Sequence, residues 1–173
     1  MNFFMTSKYT HTQDCFYKWL IVNLAKNILE NDINTMGENP IQSEAEAWLG
    51  ILYTCIKADH HISEAERKSL SRILYSKEKF KNVDFGPYYE TAIAFYKELG
   101  QLKYIKACCS WIETEDKETL FALALDVLLA DGTLEKEEKS LIEILSNHLG
   151  VSTSMSSKII EVMFLKNRGN IKV

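Results

Sequence analysis

Four carboxylates at matched spacing are the residues of this chain best placed to do chemistry. Asp59 and Glu66 lie in Ala58-Asp59-His60-His61-Ile62-Ser63-Glu64-Ala65-Glu66, and Asp131 and Glu138 hold the same places in Ala130-Asp131-Gly132-Thr133-Leu134-Glu135-Lys136-Glu137-Glu138. A constant offset of 72 residues relates the Ala, the Asp, the aliphatic residue and the last Glu of the two stretches. Hard divalent cations prefer several carboxylate oxygens, and one Asp and one Glu from each of two related turns supply four. The spacing is not that of an EF-hand, whose loop needs oxygen ligands at alternate positions, a central Gly and a Glu at the twelfth place. A site built from these residues is therefore shared between the copies or completed by water. Calcium, magnesium, manganese and zinc are the candidate ions. His60 and His61 would add nitrogen ligands and tilt the choice toward zinc, manganese or iron, although adjacent histidines in a turn are commonly just exposed.

Each carboxylate also has a purely structural reading. Glu66 at the third position of a helix capped by Ser63 would close a capping box and favour the positive helix end. In the second copy Glu135 stands where Ser63 does and is not a favoured cap, yet Glu138 keeps its place. Asp59 and Asp131 fit helices less well, since each ends an apolar helix, where the negative macrodipole end disfavours a carboxylate by a few tenths of a kcal/mol or more. An Asx turn is their best structural account. Gly132 supports a left-handed cap in one copy only, His60 holding that place in the other.

These turns need helices to position them, and the sequence supplies helices throughout. From Thr12 to about Asn31, Phe16, Leu20, Leu24 and Ile28 recur at helical spacing. Ser43 and Glu46 mark a helix start, and 47–56 is apolar nearly all round, the pattern of a central helix. Ser63 with Glu66 opens the helix of Leu70, Ile73 and Leu74, and 76–83 reads as a polar, basic connector. Asp84 and Pro87 begin a helix through Tyr88, Ala92, Phe95 and Leu99. Gly100 separates it from a helix over 102–112, whose Cys108, Cys109 and Trp111 read as packing residues. The second copy runs from Thr114 through the apolar stretch 120–130 to the helix over 135–149, and Ser152 caps a last helix with Ile159, Ile160, Met163 and Phe164 toward the core. The apolar pattern is duplicated too, with Trp48 falling on Leu120, Leu52 on Ala124, Ile56 on Leu128, Leu70 on Ile142 and Ile73 on Leu145. No stretch alternates with period two, so the chain reads as all-α, a bundle of seven or eight helices without a sheet.

The bulk composition narrows the partners. At 173 residues with 46% hydrophobic content, the chain is long enough for one core, and a single domain over 1–173 is expected, with repeats at about 43–76 and 115–149. A net charge of -4 without a basic helix face argues against nucleic acid. Cys15, Cys55, Cys108 and Cys109 form no CxxC pair, which fits reduced thiols and a cytoplasmic setting. The N-terminus has no secretion signal pattern, and the apolar run at 120–130 contains Asp126 and is too short to span about 30 Å of hydrocarbon. Asp126 itself is read as solvent-facing or paired with a Lys. No H-E-x-x-H, G-x-S-x-G or glycine-rich phosphate loop occurs.

The paired A-D-x-x-[IL]-x-x-x-E turns, each following an apolar helix and opening a charged one, resemble those of the TerB-like tellurite resistance family. Ala130, Asp131, Gly132, Leu134 and Glu138 match its pattern closely, while His60 departs from it where the family carries Gly. The resemblance covers about 43–149. It implies a compact domain of two pseudo-twofold-related helix-turn-helix units, an acidic metal-binding centre at Asp59, Glu66, Asp131 and Glu138, a place in bacterial tellurite and other stress responses, and membrane-associated protein partners. The expected function is a non-enzymatic, divalent-cation-binding module of a stress-response complex. The alternatives are a metal-free protein-interaction scaffold whose acidic turns cap helices and, more remotely, a metal-dependent hydrolase using two ions about 4 Å apart.

Overall fold

The computed structural model describes residues 39–56, 64–130 and 136–168, apart from the side chains at 65 and 66. Among the described residues there are seven α-helices and no strand: α1 Glu44–Cys55, α2 Glu64–Tyr75, α3 Gly86–Leu99, α4 Gln101–Cys109, α5 Lys117–Leu128, α6 Lys136–Leu149 and α7 Thr153–Lys166. Short 3-10 turns occupy Glu78–Phe80 and Thr114–Asp116. The helix expected over 12–31 lies outside the described residues.

The start of α1 is set by its sequence. The Ser43 hydroxyl accepts from the Glu46 N–H at 3.2 Å, and Glu46 Oε2 accepts from the Gln42 N–H at 2.9 Å, one residue further back than in a standard capping box. From Glu46 to Cys55 every residue of α1 is buried, which is what an all-round apolar helix requires. It packs against α2, α3, α4 and α5, while α5 in turn packs against α6 and α7. The apolar repeat holds at its centre: Trp48, Leu52, Leu120, Ala124, Leu128, Leu70, Ile142 and Leu145 are all buried. Ile56 and Ile73, at the ends of their helices, are half-buried.

Two glycines shape the fold. A Cβ on Gly50 would lie 2.6 Å from the Tyr104 hydroxyl and 2.7 Å from Cys108 Sγ, so α1 and α4 approach closely only because position 50 has no side chain. Gly100, with φ 73° and ψ 162°, turns α3 into α4 through a region open essentially to glycine alone. On α3 the buried positions are Tyr89 and Ala92, with Tyr96 half-buried and edge-on to both Tyr53 and Tyr104 at centroid distances of 5.7 and 6.3 Å. Asp84 contributes to the start of α3 by accepting from the Gly86 N–H at 2.9 Å. The connector at 76–83 carries one core residue, Phe80, which meets Trp48 edge-on at 5.2 Å. Trp111 does not pack as its apolar character suggests and remains 39% exposed. None of the described helices is long and apolar enough to cross a membrane.

Candidate functional site

Of the four duplicated carboxylates, Glu138 is the one whose side chain is described. Asp59, Asp131, His60 and His61 lie outside the described residues, and Glu66 is placed only as part of the α2 backbone. Glu138 is the third residue of α6 and is only 8% exposed. Its carboxylate charge bears on the thiol of Cys55, the last residue of α1. The Glu of the second copy therefore sits at the end of the helix that leads into the first acidic turn. Carboxylate oxygen is a donor suited to a hard divalent cation, and in that respect Glu138 fits a metal ligand.

The end of α1 is otherwise closed by its own hydrogen bonds. The Thr54 hydroxyl donates to the Ile51 carbonyl at 2.7 Å, and the Cys55 thiol donates to the same oxygen at 3.4 Å. Burial pushes the Cys55 thiol up to about 12, the Thr54 hydroxyl partly opposing and the Glu138 charge adding to the rise. A thiol held protonated at neutral pH is a weak ligand and a weak nucleophile. Cys109 is likewise pushed up to about 12 by burial, and Cys108 is pushed up as well. Both sit in the core as packing residues.

An acidic group not read from the sequence lies at the start of α1. Carboxylate oxygens of Glu44, Glu113 and Asp116 fall within 4.8 Å of one another. Lys79, from the 3-10 turn of the connector, reaches into this group, pairing with Glu44 Oε1 at 2.8 Å and with Asp116 Oδ2. Glu44 Oε1 also accepts from Trp48 Nε1 at 3.1 Å. The ammonium lies 5.1 Å from the centroid of the Trp48 ring and 5.3 Å from that of Phe80. Burial works against the Lys79 charge, but the hydrogen bonds and charges of Asp116 and Glu44 outweigh it and hold its pKa above the ordinary lysine value.

Sequence reasoning reads Asp116, with Glu115 and Glu118, as complementing a helix N-terminus and does not join Glu44, Glu113, Asp116 and Lys79 into a site. One signal was available, because Glu44 and Asp116 stand at the same offset of 72 residues as the acidic turns. Asp126, the charge within the apolar run, pairs with Lys166 at 2.6 Å and accepts from Asn167 Nδ2 at 3.0 Å, joining α5 to the end of α7.

The family model described as "Tellurite resistance protein TerB" matches residues 45–160, well over half of the chain. No curated protein and no solved structure matches significantly.

Proposed function

Because the chain belongs to the TerB tellurite resistance family, we propose that it is a non-enzymatic helical module that binds one divalent cation through Asp59, Glu66, Asp131 and Glu138. The observation that carries this reading is Glu138, a buried carboxylate whose charge is felt by the Cys55 thiol at the end of α1. Support comes also from the other end, where Lys79 joins Glu44, the first residue of α1, to Asp116, which precedes α5. Helices of 12 residues are about 18 Å long. Two such helices that start together and pack together also end together, with Cys55 and Leu128 toward the same end of the bundle. Four carboxylates acting on one ion would favour calcium, magnesium or manganese, and zinc if His60 or His61 takes part.

The role that follows is sensing or scaffolding in a bacterial stress-response complex in the cytoplasm, with protein partners that are themselves membrane-associated. Elemental analysis of the purified protein, followed by calorimetric titration of the stripped protein with each ion, tests the site. One equivalent bound in the wild type and none in Asp131→Asn is the expected result. Absence of binding by every ion removes the proposal.

A metal-free scaffold is the second reading, and Glu46 favours it. That residue is also the third of its helix, is 4% exposed, and is fully accounted for by its hydrogen bond to the Gln42 N–H. Under this reading Asp59→Asn and Asp131→Asn leave stability unchanged or slightly raised by relief at helix C-termini. Loss of cation-induced stabilisation in the same variants excludes it.

A further inference from the structure

The Glu44, Glu113 and Asp116 group has the oxygen spacing of a cation site, and a cation is already there. Lys79 brings an ammonium against Glu44 Oε1 and Asp116 Oδ2, while the Trp48 and Phe80 rings face the same nitrogen at 5.1 and 5.3 Å. We infer that Lys79 is the resident cation of this group and excludes divalent metal from it, so that the three carboxylates bind an external ion only when the ammonium is removed.

Three observations support the exclusion. The ammonium is tethered on a short connector, so a free ion competes with a partner whose effective concentration is on the order of millimolar. Its place is fixed by several partners at once, since Lys79, with a third of its side chain exposed, pairs with Glu44 of α1 and Asp116 of the 3-10 turn at 114–116 and lies near the Trp48 and Phe80 rings. Glu44 and Asp116, moreover, occupy equivalent places in the two copies. A single ammonium thus pairs with one carboxylate from each copy and offsets one of the group's three negative charges. The consequence is that the acidic group at the start of α1 is filled from within.

This inference does not rest on the proposed site, because its test counts ions relative to the wild type. Manganese is titrated calorimetrically into the full-length wild type, K79M, E44Q and the double variant K79M/E44Q. K79M is expected to take up one equivalent more than the wild type, and the double variant to lose that extra equivalent. E44Q in the otherwise wild-type chain is expected to leave the number of bound ions unchanged. A folded K79M that gains no equivalent overturns the inference. So does an E44Q protein that binds one ion fewer than the wild type, an outcome that can be read even if K79M does not fold.

Discussion

His148 on α6 carries a pH dependence that follows from its surroundings. Its ring is half-buried, and burial first, with the Lys106 charge adding to it, lowers its pKa below the ordinary value of 6.5. A base with a depressed folded-state pKa binds its proton more readily in the unfolded chain. Its contribution to stability is therefore present above about pH 6.5 and is lost as pH falls through the folded-state pKa. Urea midpoints taken at pH 8 and pH 5 are expected to show a smaller acid loss in His148→Gln than in the wild type. An equal loss in both places the acid sensitivity elsewhere. The buried carboxylate at Glu138 belongs to the same scale. Its spacing was readable as half of a duplicated pair, but its depth, 8% exposed, depends on how α6 packs into the bundle and has no local signal.

At the scale of elements, α1 and its contact with α4 fix the architecture. Gly50→Ala would place a methyl group 2.6 Å from the Tyr104 hydroxyl and 2.7 Å from Cys108 Sγ. Tyr104 and Cys108 are fully buried. The expected cost is that of overpacking, about 1 to 3 kcal/mol, measured as a lower urea midpoint. A neutral substitution contradicts the close approach of the two helices. The helices themselves were largely legible, because Ser43, Gly100 and Ser152 act locally and the apolar positions of α1 and α5 repeat at one offset. The connector was not. Nothing local in its eight residues from Ser76 to Val83 shows that Phe80 reaches Trp48 or that Lys79 reaches Glu44 and Asp116, since all three contacts span more than thirty residues. Trp111 fails in the opposite sense, an apolar residue at a helix end that the packing leaves 39% exposed.

For the whole molecule, the duplication ties the description together. Equivalent helices α1 and α5 form the centre, equivalent acidic residues Glu44 and Asp116 meet one lysine, and the buried Glu138 stands at the end of α1 that continues into the first acidic turn. The family match over 45–160 takes in both acidic turns. Cation binding shared between the copies is the central claim, and ligand linkage tests it most directly. With the ion at 100 times its dissociation constant, the wild type is expected to gain about 2.7 kcal/mol of unfolding free energy, and Asp131→Asn to lose most of that gain while remaining folded. Equal stability with and without calcium, magnesium, manganese or zinc, after correction for ionic strength, would contradict it.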